Sequence, residues 1–357
     1  TQGPLVRQLL LFALPIMGAN LLQSLYTLVD LWAVGNFASE AAISAVANSG
    51  QIVFLIHAVG IGLGNGGQVL ISQQVGAKDF RRLSTTIGTL LSFCVLSSTV
   101  IAAIGAVGTN WWMDLLHIPP EARASAVSYL LICCLGAPFM AASGTLCAIL
   151  RGVGDSKRPM FILLASALSN MILDMWFVAG LGWGAAGAAW ATIFSQFVSF
   201  CLLLVGCGRG GNIRIDFAHL RMKPYYYLWI FKGGLPSLAR QGLASVATIC
   251  LNQAARPFGD AAIAAQKVGT QIESISYTTA EGFATAVNAF IAQNFGARRL
   301  DRICRGYWTA VGMIVAWSCF TTVMLVVFPA PLVRVFIQEE EVVRTGVSYL
   351  RIMGYSQ

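Results

Sequence analysis

Ten apolar stretches follow one another along this chain, nine of them of 23 residues or more and the last, where the sequence ends, of 16, and a helix of about 20 residues crosses a hydrocarbon layer about 30 Å thick. They fall at roughly 7–35, 41–74, 84–109, 124–149, 158–180, 184–206, 226–253, 261–294, 304–328 and 342–357. The composition agrees: 57% of the 357 residues are hydrophobic and 11% are charged, against about 25% charged in a soluble domain. Too few polar residues are present to cover a water-facing surface, so lipid is the solvent for much of the molecule. The expected class is an all-α polytopic membrane protein. The first stretch is too long for a signal peptide and has no small-residue cleavage pattern after it, so it counts as a span. Pro15, Pro138 and Pro236 lie inside apolar stretches, where a missing backbone hydrogen bond bends a helix.

The formal charge of +8 is a topology signal. With ten spans, the N-terminus and the even-numbered connections share one side, and that side carries sixteen basic residues. They cluster around Arg7, Lys78–Arg82, Arg151–Arg158, Arg209–Lys232 and Arg298–Arg305. The opposite side carries four: Arg123, Arg256, Arg334 and Arg344. The positive-inside rule then places the N-terminus in the cytoplasm and the chain in the plasma (inner) membrane. This distribution excludes a nucleic-acid partner. The nine cysteines lie mostly in apolar stretches with no C-x-x-C spacing, which reads as small buried residues rather than a metal or disulfide framework.

The chain also repeats itself. Ala41-Ala42-Ile43 recurs as Ala261-Ala262-Ile263, Gln73-x-x-Gly76-Ala77 as Gln293-x-x-Gly296-Ala297, and Val127-Ser128-Tyr129-Leu130 as Val347-Ser348-Tyr349-Leu350, all at an offset of 220. Leu14-Pro15 matches Leu235-Pro236 at 221. Two copies of a six-helix unit have the same orientation because six is even, and paired repeats are a common plan of secondary transporters. The expected organisation is an N-lobe of six helices over 1–206, an inter-lobe linker over 207–225, and a C-lobe over 226–357. Helices five and six of the first copy have no second-copy counterpart, so the second repeat is expected to be truncated after helix ten.

Several motifs resemble those of the MATE (multidrug and toxin extrusion) family. They are Tyr26-x-x-x-Asp30 fifteen residues after Pro15, the repeated Gln-x-x-Gly-Ala, the loop Arg151-Gly152-x-Gly154-Asp155-x-x-x-Pro159, and Asn170-x-x-x-Asp174. The similarity runs through the whole chain and is greatest to the branch whose N-lobe carries the coupling acids. It implies two parallel six-helix repeats forming a V around a cavity, and export driven by a Na⁺ or H⁺ gradient, with no other cofactor.

Carboxylates in spanning helices cost roughly 2.5–3.5 kcal/mol on insertion scales and mark function by default. Asp30, Asp174 and Thr192 each sit on the order of 7–12 Å below the outer boundary at about 1.5 Å per residue. Asn170 is one turn deeper, on the face of Asp174. Two carboxylates with amide and hydroxyl oxygens suit a hard cation such as Na⁺; equally, two neighbouring acids in a low dielectric hold one proton between them. The bland alternative is that these groups merely bond to neighbouring helices. The family resemblance assigns Asp30, Asn170, Asp174 and Thr192 to the cation site, with Tyr26 one turn from Asp30 and Pro15 as the hinge of helix one.

Helix eight carries Glu273, Tyr277 and Glu281 on one stripe, where the first copy has Val53, His57 and Ile61. With Gln241 and Arg240 of helix seven these residues are candidates for the substrate cavity, although Arg240 paired with either glutamate is an equally good reading. Many family members carry an acid on helix seven near this point, and Arg240-Gln241 departs from that pattern.

Other readings are weaker. Gly62-x-Gly64-x-x-Gly67 imitates a dinucleotide fingerprint but lies inside an apolar helix. Gly152-x-Gly154-Asp155 imitates an intramembrane aspartyl protease but sits in a basic loop. No H-E-x-x-H or P-loop occurs, so neither a zinc protease nor an ATP-driven pump is expected. The expected function is antiport of amphipathic, cationic organic molecules by a non-enzymatic monomer in the lipid bilayer. The alternative is a flippase for lipids or lipid-linked oligosaccharides, which would line its cavity with Arg and Lys.

Overall fold

A computed structural model describes residues 4–37, 40–116, 118, 120–209, 224–255, 260–334, 336 and 340–355. The side chains of 25–35, which include Tyr26 and Asp30, lie outside the described residues, as does the linker over 210–223. Among the described residues the regular structure is entirely helical: α1 (Leu5–Phe37), α2 (Glu40–Ala77), α3 (Phe80–Val107), α4 (Thr109–Leu115), α5 (Pro120–Val153), α6 (Lys157–Asp174), a π-helical stretch (Met175–Gly180), α7 (Gly184–Arg209), α8 (Pro224–Ala255), α9 (Asp260–Gly296), α10 (Leu300–Val327), α11 (Pro329–Arg334) and α12 (Glu340–Gly354). Nine helices of 18 to 38 residues and the 15-residue α12 coincide with the ten stretches read from the sequence. The short α4 and α11 were not anticipated, being too brief to leave a hydropathy signature. Seven segments among the described residues are long and apolar enough to cross a membrane, in α1, α2, α3, α5, α6 with its π stretch, α7 and α10. Large apolar side chains stand exposed on them, among them Ile104 at 63% and Ile172 at 69%. Such faces need lipid rather than water against them.

The repeat is visible in the backbone. α2, α3, α4 and α5 begin at 40, 80, 109 and 120; α9, α10, α11 and α12 begin at 260, 300, 329 and 340. Even the turn geometry recurs. Lys78 and Arg298 both take φ +57°, and the next amide reaches back in each case, Asp79 N to Gln74 O at 3.0 Å and Arg299 N to Asn294 O at 2.9 Å. This is the left-handed helix stop with a 6→1 bond. After it, the Asp79 carboxylate accepts from Arg82 N at 3.1 Å and caps α3, the side-chain acceptor role typical of a helix start.

The chain forms two compact units, Leu22–Leu238 with Ala292–Arg299, and Gln2–Leu21 with Ala239–Ile291 and Leu300–Gln357. Chain order alone leads to a division at 206; compactness instead assigns the first part of α1 to the second unit and the first part of α8 to the first. The reason is visible at one pair of glycines. In the first unit, a Cβ on Gly62 of α2 would lie 2.5 Å from Leu238 of α8. In the second, a Cβ on Gly282 of α9 would lie 3.0 Å from Met17 of α1. These contacts are equivalent under the repeat, and in both the missing side chain lets two helices approach closely.

The first unit buries two apolar clusters. One surrounds Met113, Leu130, Val178 and Ala189; the other surrounds Leu63, Leu90, Leu146 and Ile230. α2 and α5 form its centre, with α3 and α7 packed on them and α6 packed on α7. The second unit packs Leu9, Ala13 and Ile16 of α1 against Phe283, Ala286 and Val287 of α9. A second cluster joins Val268 and Ile272 to Val343 and Leu350 of α12. Pro15, Pro138 and Pro236 all lie inside helices. Asp155, the acid of the imitation protease motif, accepts from Arg158 N at 3.1 Å and pairs with its guanidinium at 3.1 Å. It secures the start of α6.

Candidate ion-coupling and substrate sites

α6 and α7 form an antiparallel hairpin closed by 181–183. Gly182 and Gly184 take φ +68° and +53°, conformations that only glycine adopts without strain. Gly187 then lets α7 begin against the π-helical backbone, since a Cβ there would sit 3.1 Å from the Phe177 carbonyl. Phe177 stacks between Trp176 and Trp183, each at 5.3 Å. Further along, Ser166 Oγ donates to Ser195 O at 2.8 Å, and Ser195 Oγ donates to Thr192 O at 2.8 Å. That crossing sets the register. One turn forward along α6 is Asn170, and one turn back along α7 is the Thr192 neighbourhood.

Ser166, Asn170 and Asp174 lie at i, i+4 and i+8, one face of α6, and all three are buried; Asn170 and Asp174 are 0% exposed. Thr192 is 7% exposed. Both polar atoms of the Asn170 amide are buried with no hydrogen-bond partner among the described residues. A buried unsatisfied amide costs about 1–3 kcal/mol, and such groups need a reason. A polar ligand supplies one. Carboxylate, amide and hydroxyl oxygens are a hard-donor set that fits a small hard cation. Asp174 is also the residue at which α-helix gives way to π-helix, a distortion common at functional positions. The sequence places Asp30 and Tyr26 on α1; their side chains lie outside the described residues.

The second group sits on α8 and α9. Arg240 donates to Glu281 Oε1 at 2.5 Å and to the Tyr277 hydroxyl. The pairing foreseen as one of two readings is therefore made, and it engages Glu281 rather than Glu273. Glu273 is half-buried and makes no ion pair among the described residues. One turn before it, Gly269 lies directly against the Tyr349 ring of α12, where a Cβ would overlap the ring. Gln241 is half-buried next to Arg240, and Pro15 is buried within α1.

A residue that sequence reasoning passed over is His57. With Ser98, Cys133 and Met140 it lines a small cavity in the first unit, bounded by α2, α3 and α5. Its signal was present: it is an ionisable side chain in mid-span and the repeat counterpart of Tyr277.

The sequence pattern of the MatE family matches this chain twice, over residues 15–176 and 236–357. The two matches begin at the two equivalent prolines. The chain belongs to the MatE family. It is a multi-pass membrane transporter and not an enzyme. Among curated relatives, the probable multidrug resistance protein YoeA of Bacillus subtilis is 29% identical over 98% of this chain and 77% of its own length. The probable multidrug resistance protein NorM of Thermotoga maritima is 23% identical over 98% of this chain and 76% of its own length. The fold is that of solved MatE structures. A multidrug resistance MATE family transporter in an outward-facing conformation superposes with a TM-score of 0.91 at 22% identity, over 99% of this chain and 79% of the other. A transporter of the MOP superfamily from Pyrococcus furiosus, described as having a binding pocket of reversed polarity, gives 0.89 at 23% identity over 98% and 78%.

Proposed function

We propose that this MatE protein exports amphipathic organic cations by antiport with Na⁺ or H⁺, alternating access between two lobes. The observation that carries the proposal is the α6–α7 seam, where a buried carboxylate lies one turn from a buried amide with no hydrogen-bond partner among the described residues, opposite a threonine. No Lys, Arg or His occurs between Pro159 and Gly208, so the hairpin itself brings no fixed positive charge to the seam. A coupling ion is a substrate of this seam. Asp174 supplies charge, the Asn170 and Thr192 oxygens fill out its coordination, and Asp30 of α1 completes the set. α1 carries Pro15, so ion binding at Asp30 can be relayed to a bend of that helix. The ion must prefer one conformation and the organic substrate the other for the two fluxes to couple.

In the second unit, Glu281 is held by Arg240, which leaves Glu273 as the acid that meets a cationic substrate, with Tyr277 one turn along α9 and Gln241 on α8 as further candidates. The relatives named as multidrug resistance proteins support an exporter of varied organic compounds. The asymmetry of sixteen basic residues against four supports a cytoplasmic N-terminus in the plasma membrane. The test is uptake of a fluorescent organic cation into inside-out vesicles under an imposed Na⁺ or pH gradient. Uptake driven by one gradient and lost in Asp30→Asn is the expected result. Gradient-dependent uptake retained in full by both Asp30→Asn and Asp174→Asn at equal expression would overturn it.

A further inference from the structure

α9 changes company near its end. Residues up to Ile291 belong to the second unit, and Ala292–Arg299 belong to the first. Within that last stretch, Gln293 Nε2 donates to the Gly152 carbonyl of α5 at 3.1 Å. Ser72 Oγ of α2 donates to the same carbonyl at 3.0 Å. Close by, the two copies of the Gln-x-x-Gly-Ala motif cross each other. A Cβ on Gly76 would overlap the Gln293 carbonyl, and a Cβ on Gly296 would overlap the Gln73 carbonyl. The flanking amides are placed alike, Ala297 N at 3.1 Å from the first position and Ala77 N at 3.0 Å from the second. The contact is isologous: each motif presents to the other the surface it receives.

Its chemistry makes this junction reversible. Each glycine meets the backbone of the opposite glutamine, and the side chain that reaches across at this point is the Gln293 amide, so no large apolar side chains interdigitate in the crossing itself. The Gln293 bond is a neutral amide–carbonyl bond at the end of a helix, where water can replace it at little net cost. Lys78 and Arg298, each next to its crossing motif, are exposed and of like charge, which opposes closure within a Debye length. Gly152 belongs to the loop motif and Gln293 to the repeated motif, so the contact joins two sequence features that have no other shared role.

We propose that this junction is a latch. Gln293 and the Gly76–Gly296 crossing hold the last turn of α9 on the ends of α2 and α5, and the latch releases and re-forms in every transport cycle. The inference rests on the alternating-access reading above for its place in the cycle, but not for its existence.

The test starts from protein whose exposed Cys250, Cys304 and Cys319 are replaced by serine. In one arm, Ala297→Cys reports opening through its rate of thiol labelling. Gln293→Leu, which keeps the volume and removes the bond, should raise that rate about fivefold, the scale expected for one net hydrogen bond. A melting temperature close to that of the parent shows that the fold is intact. In the second arm, Ala77→Cys with Ala297→Cys is linked by a short bifunctional thiol reagent cleavable by reductant. Linking should abolish uptake of the fluorescent cation, and reductant should restore it. An unchanged labelling rate in Gln293→Leu, or linked protein that transports at the unlinked rate, overturns the latch. Should labelling respond while no variant or parent transports any cation tried, the latch stands and the functional reading falls.

Discussion

The α6–α7 seam of the first unit and the glutamate stripe of α9 in the second place acids in opposite circumstances. Asp174 is fully buried in a hairpin whose sequence contains no cation, and one turn away Asn170 keeps both polar atoms without a hydrogen-bond partner among the described residues. Glu281 is part-exposed and already engaged by Arg240 at 2.5 Å. One acid is shut inside a hairpin beside an unsatisfied amide; the other stands part-exposed with an arginine on it. Under the proposed function the ion goes to the buried seam and the organic substrate to the stripe, and the contrast between them marks where each assignment can fail.

The largest expected effect breaks the comparison at its centre. Asp174→Asn keeps the size and removes the charge, and gradient-driven export should fall at least about tenfold, equivalent to about 1.4 kcal/mol. Glu281→Gln should change export by less. If vesicle uptake shows the reverse order, the coupling site belongs to α9 and the seam is structural.

Next in size is an effect of opposite sign on stability. Asn170→Leu removes two buried unsatisfied polar atoms, so the protein should gain about 1–3 kcal/mol while losing export. A melting temperature that rises as transport disappears identifies a position held for function at a cost in stability. A falling melting temperature would mean that the amide is satisfied within the seam.

The α9 stripe should respond more weakly. Arg240 and Glu281 are both more than a third exposed on their side chains, and such pairs contribute about 0.2–1 kcal/mol. A double-mutant cycle of Arg240→Gln and Glu281→Gln should give a coupling energy in that range. Coupling of several kcal/mol would show a desolvated pair and a structural stripe.

Most of the fold was legible because lipid makes a strong demand: the seven described segments long and apolar enough to span each left a readable hydropathy stretch, and α8, α9 and α12 had the repeat to support them. The repeat was legible through Gln-x-x-Gly-Ala because close helix approach leaves few residue choices at Gly76 and Gly296. The exchange of α1 and α8 between units was not, because Gly62 and Gly282 read as two more small residues in apolar helices, and their partners lie 176 and 265 residues away in sequence. Asn170 and Asp174 were legible as costly polar groups in a span. The choice Arg240 makes between Glu273 and Glu281 was not, since both lie one turn from Tyr277 and only the tertiary path of α8 decides. The π-helical stretch after Asp174 left no sequence signal, because Met175–Gly180 reads as ordinary apolar helix.

The smallest effect separates geometry from chemistry within the seam. Ser166→Ala removes the hydroxyl that sets the α6–α7 register through Ser195 O at 2.8 Å. The Ser195 carbonyl sits in a continuous helix and has its backbone donor as well, so losing the serine leaves no orphan acceptor. The cost should be about 0.5–1 kcal/mol, the lower range of a net hydrogen bond, seen as a small drop in melting temperature with export nearly intact. The aromatic stack of Trp176, Phe177 and Trp183 at the far end of the hairpin is expected to hold the register on its own. If export instead collapses as far as in Asp174→Asn, then the spacing between Asn170 and Thr192 is as demanding as the carboxylate itself. That result would favour a coordinated metal cation, which needs several oxygens at fixed distances, over a proton, which needs only one.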